Sequence, residues 1–180
     1  AWDGHGTPPD NLNADIVIDC AAAIPATAPR ADVMLETNVR LATATAIIAA
    51  RSGARLLVGC SSMSVYGRPN VAEITDDTPT LPDQPYGLAK LAAEAIWAET
   101  VTRGEVAGQV SLRLPAVLGA HSHHNFPSTF AEKMTAGQPV TVFNPDGLYN
   151  TCVHGADIAA FIAHLIDSRP TGLHKGVLAA

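Results

Sequence analysis

Tyr86 and Lys90 stand four residues apart in "PYGLAK", and Ser61, Ser62 and Ser64 cluster upstream in "SSMSVYG". On a helix that spacing puts phenol and ammonium on one face, about one turn apart. A free Tyr releases its proton only near pH ~10. A neighbouring cation favours the phenolate, which makes Tyr86 a candidate acid and base closer to neutrality. The serine hydroxyls can donate to and accept from a reacting oxygen. The same spacing also describes a surface Tyr and Lys on an amphipathic helix, because short motifs recur by chance. Taken singly, Ser62 reads equally well as a turn former. The elements that carry these residues decide which reading has weight.

"ADIVIDCAAA", residues 14 to 23, is an apolar run broken by Asp15 and Asp19, as expected of a strand covered on both faces of a parallel sheet. A helix is predicted from about Asp32 to Ser52, ending at Gly53. "ARLLVGCSS" then reads as a strand and "QPYGLAKLAAEAIWAETVTRG" as a helix stopping at Gly104. "QVSLRLPAVLG" is a third strand, interrupted by Pro115. Strand, helix, strand, helix, strand is the order of a doubly wound, Rossmann-like α/β parallel sheet. Such a sheet forms its ligand crevice at the carboxyl ends of its strands. Ser62 ends one strand and Tyr86 opens the next helix, so both converge on that edge. After Gly119 the pattern loosens into "AHSHHNFPS". A helix over about 128–136, a strand "PVTVF", a turn "NPDG", a helix in "GADIAAFIAHLIDS" and a last strand in "HKGVLAA" follow.

A chain of 180 residues with 47% hydrophobic and 16% charged residues has the composition of a single globular core. Its net charge of -6 and lack of a basic run argue against nucleic acid, since binding a phosphate backbone needs clustered cations. Cys20, Cys60 and Cys152 lack metal-ligand spacing, and they read as small buried residues, with thiol chemistry as the lesser alternative. No uninterrupted apolar run reaches the eighteen or so residues of a membrane span, and "AWDGHGTPPD" has no signal-peptide pattern, so no membrane partner and a cytoplasmic location are expected. His121, His123 and His124 invite a metal reading, but no carboxylate or Cys lies beside them. A polar loop and no metal is the expectation. "GCSSM" is not a nucleophile elbow, because Met63 stands where that turn needs glycine.

"DIVIDCAAA", "ETNV", "SSMSVYG", "PYGLAK", "LRLPAVLG" and "NTCVHGADIA" occur in that order across most of the chain. In these six segments it resembles the extended short-chain dehydrogenase/reductase family, which includes nicotinamide-dependent sugar-nucleotide epimerases and dehydratases. The resemblance implies that Ser62 hydrogen-bonds the reacting hydroxyl or carbonyl and that Tyr86 exchanges its proton. Lys90 would bind the nicotinamide ribose and hold Tyr86 acidic. Ala21, Ala22 and Ala23 would pass beneath the cofactor, Asn38 would support the site from its helix, and Pro115 would border the nicotinamide. The implied cofactor is NAD or NADP. The implied activity is hydride transfer at a hydroxyl or carbonyl of a sugar nucleotide or similar small molecule, as an oxidoreductase or an isomerase of the epimerase type.

Two departures qualify the resemblance. Met63 and Ser64 stand where dehydratases carry an acidic pair, which disfavours sugar dehydration. No G-x-x-G-x-x-G follows an opening strand, and "DGHGTPP" carries Pro8 and Pro9 where a phosphate-binding helix would begin. A non-catalytic dinucleotide-sensing or interaction protein on the same fold is therefore the alternative. Residues 1–119 read as a Rossmann-like core incomplete at its N-terminal side, and 120–180 as a substrate-side segment with a closing helix and strand. The strand at Ile16 to Cys20 lacks the neighbour the family implies, so the expectation is a portion of a longer protein or a homo-oligomer covering that edge.

Overall fold

The computed structural model describes residues 12–28, 30–75, 77–120, 122, 125–142, 146 and 152–178. Strands β1 (Ile16–Asp19), β2 (Leu56–Ser62), β3 (Gly108–Leu114) and β6 (Gly172–Val177) form one parallel sheet in the order β1-β2-β3-β6. Helices α1 (Ala31–Arg51) and α2 (Pro85–Thr102) pack on one face, and α4 (Gly155–Ser168) packs on the other. This is the doubly wound, Rossmann-like arrangement expected from the order of elements.

Alternation along β2 builds both cores at once. Leu57 points into a cluster with Ala42, Ala49, Ala93 and Trp97, while Leu56 and Val58 join Val110, Leu112 and Leu165 opposite. Burying each Leu or Val of that run stabilises the sheet by about 1.5–3 kcal/mol. Every residue of β2 has a partner on β3. By contrast β1 pairs with β2 alone among the described residues, and its Ile18 is 41% exposed. Cys20, just beyond β1, is also exposed rather than buried as its apolar surroundings in sequence suggested.

Pro115 does more than interrupt a strand. It separates β3 from β4 (Ala116–Leu118), which leaves the main sheet and pairs in parallel with β5 (Cys152–His154). Proline cannot donate to a ladder, so the chain changes sheets there. Helix α3 (Phe126–Thr135) begins two residues earlier than its apolar pattern indicated. Asn125 caps it, accepting from the Ser128 amide at 2.9 Å, with Pro127 in the first turn. The expected "PVTVF" strand does not form over 139–142, where Val142 is half exposed and no partner strand lies alongside among the described residues.

Helix α1 has 21 residues and a mean hydropathy of 1.2 in its most apolar window, which meets the length and composition of a membrane span. Reading uninterrupted runs missed this, because Glu36 and Arg40 divide the segment. In the structure α1 lies against α2 and contributes Ala42 and Ala49 to the core. The histidine motif at 121, 123 and 124, the glycine-proline segment before residue 12 and most of the "NPDG" turn lie outside the described residues.

Gly59 of β2 faces the indole of Trp97, and a Cβ there would overlap three of its ring carbons. Trp97 is 1% exposed and hemmed in by the core, so it has no free space to move into. Gly59→Ala is expected to cost about 1–3 kcal/mol by overpacking. The urea midpoint should fall with an unchanged m-value, and an unchanged midpoint would show that the indole yields freely.

Candidate functional site

Ser62 closes β2 and caps the 3-10 turn Met63–Tyr66. Its hydroxyl accepts from the Ser64 amide and donates to the Ser64 hydroxyl, both at 3.1 Å. The turn is held against α2 by Gly87, where any Cβ would strike the Ser64 carbonyl. That close approach carries the first turn of α2, opened by Pro85, to the end of β2. Tyr86 and Ser62 consequently line one cavity of about 800 Å³, with Ile24, Pro25 and Pro115 on its walls.

Lys90 sits one turn deeper and is 4% exposed. Its Nζ donates to the Cys60 carbonyl at 2.7 Å and lies 6.0 Å from the Tyr86 ring centroid. Asn38 is buried on α1 and grips Ala23 from both sides: Oδ1 accepts from the Ala23 amide at 3.0 Å, and Nδ2 donates to its carbonyl at 2.9 Å. Asp19 Oδ1 accepts from the Ala21 amide at 2.9 Å. The segment 21–23 is thus held at both ends where it leaves β1. Asp19 Oδ2 is buried without a hydrogen-bond partner among the described residues, leaving an unused acceptor beside that segment.

The expected acidification of Tyr86 by Lys90 is not what this arrangement produces. Burial pushes the Tyr86 phenol above its ordinary value, with Cys60 adding to the effect. Burial likewise draws the Lys90 ammonium below its ordinary value, against the attraction of Asp19. Desolvation outweighs a cation 6.0 Å from the ring centroid.

The third serine belongs to a different system. Ser61 points away from Ser62 and donates to Glu94 Oε1 at 2.5 Å. Glu94 takes Arg113 in a two-pronged pair, Nη2 to Oε2 at 2.7 Å and Nε to Oε1 at 3.0 Å, with side-chain exposures of 2% and 7% respectively. Arg113 Nη1 donates to the Tyr66 hydroxyl at 2.8 Å. This network pins β2, β3, α2 and the 3-10 turn beneath Ser62. Sequence reasoning missed it, although an Arg inside "VSLRLP" and a Glu inside "LAAEAIW" are charges in apolar runs and so mark themselves as paired.

Comparison with known proteins places these features in context. The model of the NAD dependent epimerase/dehydratase family matches residues 7–179. The chain is 30% identical over 133 residues to UDP-glucose 4-epimerase of Streptomyces lividans, covering 66% of this chain and 39% of that protein. The enzyme WbmG of Bordetella bronchiseptica, solved in complex with NAD, superposes with a TM-score of 0.72 at 30% identity over 90% of this chain and 50% of that one. UDP-N-acetylglucosamine 4-epimerase of Bacillus cereus shares the fold, with a TM-score of 0.75 at 17% identity over 92% of this chain and 57% of that one. The chain spans about half the length of these solved structures and less of the curated relative.

Two outcomes follow from the charges. Glu94→Gln leaves the Arg113 guanidinium buried without its counter-charge and should cost about 3–5 kcal/mol. A loss under about 1 kcal/mol in urea unfolding would mean that water reaches the pair. For Tyr86, the folded state keeps a proton that the unfolded state loses above pH ~10, so its contribution is present below that pH and lost as pH rises through the raised folded value. Tyr86→Phe should flatten this decline in urea midpoints measured from about pH 9 to 11. An equally steep decline in the variant would assign it to other groups.

Proposed function

The chain belongs to the NAD-dependent epimerase/dehydratase family, and from that premise we propose that it carries the chemical site of an NAD-dependent epimerase or oxidoreductase acting on a sugar nucleotide. The observation that carries the proposal is the meeting of Ser62 and Tyr86 on one cavity, with Lys90 beneath them. The sugar-nucleotide class is supported by UDP-glucose 4-epimerase among the relatives and by WbmG, solved with NAD and UDP.

The residues present fit the nicotinamide half of the cofactor. Ala21 to Ala23 form a ledge with apolar side chains whose backbone is fixed by Asp19 and Asn38, and Pro115 walls the cavity. Lys90 is the cation near a ribose placed there. When bound, the cofactor supplies hydride acceptance and return. Ser62 donates a hydrogen bond to the substrate oxygen and fixes its position. Tyr86 Oη exchanges the proton of that oxygen as charge appears or disappears on it. The burial that holds Tyr86 as a phenol at neutral pH suits it to donate to an oxygen gaining charge. Met63 and Ser64 bring no carboxylate to the cavity, which favours epimerisation or simple redox over loss of water.

The test is Tyr86→Phe, assayed with NAD and a panel of UDP- and dTDP-sugars. Removing the transferable proton should lower turnover by about 10²–10⁴-fold, with NAD affinity nearly unchanged because the ring is kept. Lys90→Ala should weaken both affinity and turnover. Activity of Tyr86→Phe within about tenfold of the parent, ~1.4 kcal/mol in the barrier, would remove Tyr86 from the chemistry. A parent that binds NAD and turns over none of the sugars would favour the non-catalytic dinucleotide-sensing reading.

A further inference from the structure

Cys20 and Cys60 lie side by side at the carboxyl ends of β1 and β2. Asp19 and Gly59 are register partners in parallel strands about 4.8 Å apart in the pairing direction, and Cys20 and Cys60 are the residues that directly follow them. Their sulfurs are 3.6 Å apart. A disulfide needs an S–S separation of about 2.05 Å and Cα atoms about 4.4–6.8 Å apart, so a small rotation of the side chains closes the gap. Cys20 is exposed and Cys60 partly so, which lets a small oxidant reach the pair.

We propose that Cys20 and Cys60 are a reversible oxidation site, closed to an intrachain disulfide by a peroxide. The Cys20 thiolate attacks the O–O bond, becomes a sulfenic acid and releases hydroxide, which takes up a proton as water. The Cys60 sulfur then attacks the Cys20 sulfur and expels the second water. In sum, two thiols and hydrogen peroxide give one disulfide and two waters. The hydrogen bond from Cys60, helped by Lys90 and opposed by burial and Asp19, lowers the Cys20 thiol to about 7, so thiolate is present at neutral pH. The same contact and burial raise Cys60, which leaves Cys20 as the first nucleophile; Cys60 attacks second, and its proton passes to the hydroxide that leaves the Cys20 sulfur.

Closure would act on the site through two attachments. The Cys60 carbonyl anchors Lys90, and Cys20 leads directly into the ledge at 21–23. Drawing the sulfurs together shifts both, so oxidation should weaken dinucleotide binding. That consequence rests on the function proposed above, whereas the oxidation itself does not.

Treatment with hydrogen peroxide, followed by non-reducing peptide mapping, reads the oxidation without any turnover assay. The expected map links the Cys20 and Cys60 peptides within one chain, leaves Cys152 reduced and is reversed by dithiothreitol. Cys152→Ser should behave as the parent, and Cys20→Ser should form no link. NAD affinity of the oxidised parent should fall by about 5- to 150-fold, the usual span of coupling between sites, and recover on reduction. A sulfinic acid on an unlinked Cys20, or a link between two chains, overturns the site. An intrachain link with unchanged NAD affinity overturns its control of binding.

Discussion

Arg113 and Glu94 are taken almost wholly out of water, which costs several kcal/mol per ion and is offset only when geometry and further hydrogen bonds are good. Here both conditions hold. The guanidinium meets the carboxylate with two prongs, Ser61 fills a remaining acceptor direction on Glu94, and Tyr66 takes another nitrogen of Arg113 while its ring lies 4.9 Å from the guanidinium carbon. Each of the four residues comes from a different element. A pair that tolerates little displacement therefore fixes two strands, a helix and a turn against one another at the point where the cavity opens.

The site inherits its precision from that junction. Ser62 follows Ser61 directly, so fixing one on Glu94 sets the backbone that aims the other into the cavity. Tyr86 is positioned from the opposite direction by the contact of Gly87 with the Ser64 carbonyl. Lys90 and Glu94 share α2 and lie one turn apart, so the helix bearing the acid-base candidate is tied to β2 through the Cys60 carbonyl and to β3 through Arg113. Small residues let backbones meet closely, and buried charges then lock the meeting.

The fold and the convergence of Ser62 and Tyr86 on one sheet edge were legible because they follow from period and order, whereas Asn38 and Ala23 entered only through the family resemblance. An apolar run ending in hydroxyls and a helix opening with Tyr both point to one sheet edge. Arg113 and Glu94 were not legible, since pattern reading treats a charge in an apolar run as an interruption rather than as half of a pair. The electrostatic balance at Tyr86 was misjudged for a related reason: spacing reports that a cation is near but not how deeply both groups are buried. Exposure of Cys20 depends on what flanks β1, and the unformed strand near Val142 depends on a partner strand. Neither dependence is written in the local sequence.

The connectivity of the main sheet has a kinetic side. Its three pairings, β1 with β2, β2 with β3 and β3 with β6, each join segments separated by at least one whole helix and its loops. Loop-closure entropy must be overcome before such contacts reward it, which makes parallel sheets slow to assemble relative to local structure. The helices can form early, but the sheet edge bearing Cys60, Ser62 and Arg113 exists only after β2 and β3 have found each other. Until then two ionic side chains destined for the interior remain hydrated, and their dehydration coincides with the joining of the strands. The end of β2 that carries Ser62 accordingly depends on a non-local pairing rather than on any one local segment.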